Sequence, residues 1–323
     1  MCTAISFKTN DHYFGRNLDL EYHYNESVII TPRNHSLSFR HTSPMQHHYA
    51  MIGIGIIETN YPLYYDAVNE FGLCAAGLHF PGNAHYFPWN ENAVNIASFE
   101  LVPWILSKFK TVKELLYELP YINITDTAFN ENYAPSPLHW LVSDAEGSIV
   151  IECTKEGLKI YDNQFGILTN NPPFHFHSLN LTQYLNLTAS EPINRFSPKL
   201  NIVPFSHGVG AFGLPGDASS ASRFIRAAFH KLNSTHPKND TDSITQFFHI
   251  LSSVEQLHGC VKVNDLLEKT VYSSCCNASK GVYYYKTYEN SQINAVSLHR
   301  EQLDSNKITS YPLIWQQHIN RIN

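Results

Sequence analysis

The sequence predicts an α+β protein in which two antiparallel sheets are faced by helices. Short strand-like runs separated by turn residues follow one another without the βαβ alternation of a doubly wound fold. Helical segments enter in pairs between blocks of strands. No linker, repeat or low-complexity tract divides the 323 residues, so a single domain over 1–323 is expected. That length closes a core without a disulfide or metal staple.

Along the chain, Cys2–Phe7 and Tyr13–Leu20 are strand-like runs around an Asn10-Asp11 turn. Ser27–Thr31 is β-branched. His48–Ile57 and Tyr64–Phe80 are apolar runs, the second broken by a hairpin turn at Asn69–Gly72. A helical segment is expected at Ile96–Phe109. Thr111-Val-Lys-Glu114 matches a capping box that opens a second helix to Leu119. Leu138–Ser143, Ser148–Cys153 and Leu158–Tyr161 form a meander with turns at Glu146-Gly147 and Glu156-Gly157. Helices recur at Ala221–Leu232 and Asp242–Val254, and strands at Val271–Cys276, Val282–Thr287 and Gln292–Leu298.

Net charge is 22 − 28 = −6, the wrong sign for a generic nucleic-acid binder. Charged residues make up only 15% while Tyr and Phe number 19 each, a balance that suits a packed oligomer or a wide amphipathic pocket. Six scattered cysteines exclude a disulfide scaffold, and the absence of CxxC and HExxH spacings excludes the common zinc motifs, so no metal or cofactor is expected. No run approaches a membrane span, and the N-terminus has no apolar leader. A cytoplasmic protein with reduced thiols is expected.

The chemistry begins at Cys2. With Met1 removed, one residue carries a thiol and a free α-amine of pKa about 7.7–8.0, a base that can take the thiol proton directly or through one water. Position 2 of an isolated Met-Cys is by itself uninformative. Downstream, Gly15-Arg16-Asn17-Leu18-Asp19 supplies a cation that favours thiolate and a carboxylate that can hold an amine. An edge-strand ion pair gives the same spacing.

Met-Cys-Thr-Ala-Ile followed by Tyr-Phe-Gly-Arg-Asn-Leu-Asp, with His12 ahead of it, resembles the start of the choloylglycine hydrolase family. These are cysteine N-terminal-nucleophile amidases that include bile salt hydrolases and penicillin V acylases. The resemblance continues through Gly77-Leu-His-Phe-Pro-Gly82, Leu138-His-Trp140, Leu168-Thr-Asn-Asn-Pro172, Gly213-Leu-Pro-Gly-Asp217, Ser222-Arg-Phe224, and Tyr283-Tyr-Tyr with Thr287-Tyr-Glu-Asn290. It implies an N-terminal-nucleophile αββα sandwich and hydrolysis of a secondary amide without a cofactor.

By that resemblance Cys2 is the nucleophile, Arg16 sits beside the thiol, Asp19 holds the α-amine, Asn170 donates to the oxyanion, and Arg223 is a second active-site arginine. Read on their own, Asn170 is a turn residue before Asn171-Pro172, and Arg223 is a first-turn arginine disfavoured by the helix dipole. His79 departs from the pattern. Bile salt hydrolases usually carry Asn there and penicillin V acylases often Tyr. The family uses the main-chain N–H at this position as the other oxyanion donor, and His supplies it. Leu18, Tyr22, Tyr65, Phe129, Tyr133 and Leu138 are implied to line an apolar trough for conjugated bile salts. Phe129 and Tyr133 fall in the turn-rich stretch 123–137, as a lid or as packing beneath it. Ser206 and His207 are expected at the amino-acid end of the conjugate, where their donors would suit a taurine sulfonate. The resemblance also implies a homotetramer. The expected activity is bile salt hydrolysis. Alternatives are penicillin V acylase, a silent small-molecule-binding relative, and, more weakly, a redox role for Cys275-Cys276.

Overall fold

A computed structural model describes residues 1–323. In chain order the strands are β1 (Cys2–Lys8), β2 (His12–Leu20), β3 (Ser27–Thr31), β4 (Met51–Glu58), β5 (Tyr61–Asn69), β6 (Cys74–His79), β7 (Val94–Ala97), β8 (Ile122–Thr125), β9 (Leu138–Ser143), β10 (Ser148–Thr154), β11 (Gly157–Asp162), β12 (Ile167–Leu168), β13 (Val261–Val263), β14 (Leu266–Asn277), β15 (Val282–Thr287), β16 (Asn294–Ser297) and β17 (Thr309–Pro312). The helices are α1 (Leu101–Lys108), α2 (Val112–Glu118), α3 (Phe174–Leu181), α4 (Ser220–Asn233) and α5 (Asp240–Ser252).

Two large antiparallel sheets form the body. One runs β12-β1-β2-β14-β15-β16 with β13 added to β14; the other runs β11-β10-β9-β6-β5-β4-β3-β17. Side-chain period explains how they stack. Ile52, Ile54, Val68, Cys74, Ala76, Leu78 and Leu141 of the second sheet join the core shared with the first. Alternate residues, among them Ala67, Ala75, Trp140 and Val142, turn outward onto α1 and α2. Helices α4 and α5 cover the first sheet. The expected αββα sandwich is the observed architecture.

Local chemistry sets the helix starts. Thr111 Oγ1 accepts from the Glu114 N–H at 3.1 Å, as the capping box requires. The reciprocal bond moves one residue back, however, because Glu114 accepts from Lys110 N–H (2.7 Å). Ser219 and Asn239 cap α4 and α5. The helix expected over Ile96–Phe109 starts later. Val94–Ala97 is a strand paired in parallel with β8, and Glu100 accepts from Ala97 N–H (3.1 Å) and Arg40 N–H (2.7 Å) before α1 begins. Pro103 then occupies the first turn of α1, where no N–H is required. The loop expected over 123–137 loses its first three residues to β8 for the same reason. Strand β14 is twice as long as the expected Val271–Cys276, and its register shifts between Thr270 and Tyr272. Helix α3 and the short strands β12, β13 and β17 lie outside the expected set.

β1, β2 and β14 lie side by side, and Gly15 is what permits the last contact. A Cβ there would stand 2.0 Å from the Ser274 carbonyl oxygen, against backbone that has no rotamer to change. Gly15→Ala is expected to destabilise the protein by about 1–3 kcal/mol, read as a lowered urea midpoint. An unchanged midpoint would show that the β2–β14 spacing relaxes freely.

Candidate active site

Cys2 opens β1 opposite Leu18, and β2 carries Arg16 two residues away. Both are closed to solvent, Cys2 at 3% and Arg16 at 1% exposure. Arg16 Nη1 donates to the carbonyls of Gly77 (2.6 Å) and Tyr65 (3.0 Å), which anchors the guanidinium across the sheet interface. Burial opposes its charge, but Cys2, Tyr272 and Asp66 outweigh burial and hold it firmly protonated. Asp66 is fixed in turn by the hydroxyls of Tyr272 (2.7 Å), Ser274 (3.1 Å) and Tyr283.

Arg223 reaches the same point from the first turn of α4. Its Nη1 donates to the Cys2 carbonyl and to Thr3 Oγ1 (2.6 Å), its Nη2 to Asn170 Oδ1 (2.8 Å), and its Nε to the Ala218 carbonyl (3.0 Å). Four acceptors around a fully buried guanidinium explain an arginine that its helix dipole disfavours. Burial lowers its pKa, and Asp19, Cys2 and Glu268 oppose that shift.

Asn170 follows β12. Its Oδ1 accepts from Cys2 N–H (2.7 Å) and Arg223, and its Nδ2 donates to the His79 carbonyl (2.7 Å), so the network fixes which end of the amide is which. His79 ends β6 opposite Leu138. Phe80 N–H goes to Pro137 and Leu138 N–H to the Tyr86 hydroxyl, which makes His79–Leu138 a non-hydrogen-bonded pair. The His79 N–H therefore points away from β9, to the side on which its carbonyl meets Asn170. A neutral amide donor and a main-chain N–H thus face one small region beside Cys2.

Asp19 is fully buried, and burial raises its pKa against the lowering effect of Arg223 and the chain terminus. Its Oδ1 accepts from Thr270 Oγ1 (2.6 Å) and its Oδ2 has no partner. With Met1 present, the terminal ammonium is held by the Asp19 main-chain carbonyl (2.8 Å) and by Glu268 (3.0 Å), not by the Asp19 carboxylate. Nothing in the sequence marked Glu268, Thr270 or Thr3 for the site. Glu268 and Thr270 arrive on the unexpected first half of β14, some 250 residues from Asp19.

The expected trough residues divide. Leu18 pairs with both Cys2 and Tyr272, Tyr65 supplies a carbonyl to Arg16, and Leu138 pairs with His79, so these three adjoin the cluster. Tyr22 is exposed and its hydroxyl accepts from Tyr24 (3.2 Å). Phe129 is buried in an edge-to-face knot with Phe99 (5.2 Å), beside Tyr61 and under Arg40, which is packing beneath the loop. Tyr133 lies over that knot, half exposed, bonded to Glu58 (3.3 Å). Ser206 and His207 are exposed, and no hydrogen bond joins them to the Cys2 cluster. His207 Nδ1 instead meets Glu191 Oε1 at 2.6 Å, and that carboxylate opposes a sulfonate. The geometry gives the taurine expectation no support.

All six cysteines are free, and burial pushes the Cys275 and Cys276 thiols well above their ordinary value, opposite to what a redox pair needs. No group of His, Cys, Asp or Glu is arranged to hold a metal ion. No helix is long and apolar enough to cross a membrane.

Residues 2–311 match the family described as linear amide C–N hydrolases, choloylglycine hydrolase family. The chain is 54% identical to a bile salt hydrolase/transferase of Lactiplantibacillus plantarum, covering 97% of each, and 41% identical to one of Clostridium perfringens over the full length of both. A crystal structure of the C2A mutant of conjugated bile acid hydrolase from Clostridium perfringens superposes with a TM-score of 0.92 at 38% identity, covering 100% of both chains. Penicillin V acylase from Agrobacterium tumefaciens shares the fold, at TM-score 0.76 and 18% identity over 96% of this chain and 90% of that one. The chain therefore belongs to the choloylglycine hydrolase family of linear amide C–N hydrolases.

Proposed function

We propose that this enzyme hydrolyses the amide of glycine- or taurine-conjugated bile salts, with Cys2 as an N-terminal nucleophile once Met1 is removed. The observation that carries the reading is the closed cluster of Cys2, Arg16, Asn170 and Arg223, with the His79 N–H turned toward it. The 54% and 41% identical bile salt hydrolase relatives support the substrate class.

Removal of Met1 converts the Cys2 peptide N–H into an amine. Asn170 Oδ1 already accepts from that nitrogen, and the unpartnered Oδ2 of buried Asp19 is the counter-charge for its ammonium. The amine takes the thiol proton and Arg16 stabilises the thiolate. Thiolate attack on the amide carbon forms the C–S bond and an oxyanion between Asn170 Nδ2 and the His79 N–H. The Asn170 amide carries two N–H donors, so one keeps the His79 carbonyl while the other is free for the oxyanion. Collapse breaks the C–N bond as the ammonium protonates the leaving glycine or taurine nitrogen. Water, deprotonated by the same amine, hydrolyses the thioester and returns the thiol.

Leu18, Tyr65 and Leu138 form the near wall for the steroid. Tyr22 and Tyr133 are the exposed aromatics of its rim. The domain spans 1–323 and works in the cytoplasm without a cofactor, on a small molecule and not on nucleic acid or membrane. The arm around 193–212, which leaves Ile193, Phe196, Val203, Phe205 and Phe212 at least 72% exposed, supports self-association, for which a homotetramer is the proposed form.

Cys2→Ser is expected to lose nearly all turnover on glycocholate while keeping its circular dichroism spectrum, since a hydroxyl is a poorer nucleophile at neutral pH. Substantial residual turnover would remove Cys2 from the mechanism. Asn170→Ala is expected to lower kcat by roughly 10²–10³ with a smaller change in KM. A change confined to KM would make Asn170 a binding residue. Parallel assays on penicillin V decide the substrate class, and faster turnover there would overturn the bile salt reading.

A further inference from the structure

The two oxyanion donors come from different sheets. His79 ends β6 of the eight-stranded sheet, whereas Asn170 follows β12 of the other. Stacked sheets lie about 10 Å apart and share no backbone ladder, so neither ladder fixes one donor against the other and side chains must do so. Beside the direct Asn170–His79 bond, a second buried side chain bridges them from behind. His139 on β9 shares the inward face of Leu141, is fully buried, and pairs with Leu78 beside His79. Its ring stacks on Phe80 at 4.2 Å and 6°, gripping the end of β6. Its Nε2 donates across the interface to the Thr169 carbonyl at 2.9 Å, one residue before Asn170.

The ring cannot swing, because Nδ1 is tied to Glu152 Oε1 (3.1 Å) on the next strand, and that oxygen also accepts from Phe174 N–H (2.9 Å) at the start of α3. Two further contacts complete the cradle. His177 Nε2 donates to the Asn170 carbonyl (2.9 Å) while its ring stacks on Phe224, and burial depresses its pKa to about 4, which keeps it neutral. Ser220 Oγ accepts from Asn170 N–H (2.8 Å).

We infer that His139, held by Glu152, is a positioning residue that sets the distance between the Asn170 and His79 donors by tying the Thr169 carbonyl to the end of β6. The amide-hydrolysis reading gives that distance its kinetic meaning, and the inference rests on it there. A wall residue for the substrate would change binding, whereas this residue, behind both donors, changes the stabilisation of the oxyanion.

Two substitutions separate the ring's two bonds. In His139→Asn the side-chain nitrogen stands in for Nδ1, which keeps Glu152 and loses Thr169. In His139→Gln it stands in for Nε2, which keeps Thr169. His139→Asn is expected to lower kcat on glycocholate by about 10²-fold, the usual consequence of misplacing a catalytic group by an ångström, with KM nearly unchanged. His139→Gln should recover most of that loss. Equal losses in the two variants, or a loss carried by KM, would overturn the inference. A wild-type enzyme inactive on both conjugated bile salts and penicillin V would instead refute the functional reading. The crystal structure of His139→Asn then decides positioning by itself. Asn170 Nδ2 displaced from the His79 carbonyl supports it, and the wild-type 2.7 Å bond retained overturns it. Should His139→Asn fail to fold, Glu152→Ala, which removes the acceptor at Nδ1 and leaves the ring in place, takes its place, with a kcat loss and a displaced Asn170 Nδ2 expected and a loss carried by KM overturning the inference.

Discussion

A buried guanidinium holds this site together. Arg223 lies in the first turn of α4 and bonds the Cys2 carbonyl, Thr3 and Asn170, three points that the sequence scatters over 169 positions. A fully desolvated cation is costly unless every donor is matched and charge of the other sign lies close. Here the Arg223 and Arg16 cations and the terminal ammonium are set against Asp19, Asp66 and Glu268, all nearly closed to solvent. Loss of either arginine or of a carboxylate leaves another charge unmatched, whereas removal of Met1 passes the terminal charge on to Cys2, so the cluster stays fixed as a unit. The catalytic reading depends on that rigidity, because an oxyanion gains most from donors that need not reorganise.

The sandwich supplies the framework for the cluster. Period-2 strands give the inner faces of both sheets to one core and reserve the outer face of the eight-stranded sheet for α1 and α2. Cys2 and Arg16 then enter from one sheet, and Gly77, His79 and Tyr65 from the other, with α4 closing the end. The site sits where the two sheets meet, so each inter-sheet bond counts twice, once for packing and once for geometry.

Much of this was legible in the sequence because its signals are local. The Thr111 cap, the Asn69–Gly72 turn and the Val282–Thr287 strand each follow from neighbouring residues. The ordered motifs located Cys2, Arg16, Asn170 and Arg223 together. Illegible features were those decided by distant partners. Val94–Ala97 became a strand only because Ile122–Thr125 lies beside it, and Glu268 reached the N-terminus through an extension of β14 that carries no strong apolar alternation. The polar surroundings of Phe129 left a lid and packing beneath the loop both open, and only Tyr61, Phe99 and Arg40, distant in sequence, gather it into a packed knot. His207 looked like a free donor until Glu191 met it.

The central claim is that the Cys2 α-nitrogen is a working acid and base, which it cannot be while it forms a peptide bond to Met1. As it stands, that nitrogen only donates to Asn170, and the terminal charge sits one residue away on Glu268. Freeing the amine adds general acid–base help worth typically 10²–10⁴. The most direct measurement is the intact mass of a preparation alongside its specific activity. The account predicts that activity tracks the fraction of chains beginning at Cys2, and a fully active sample that retains Met1 would contradict it.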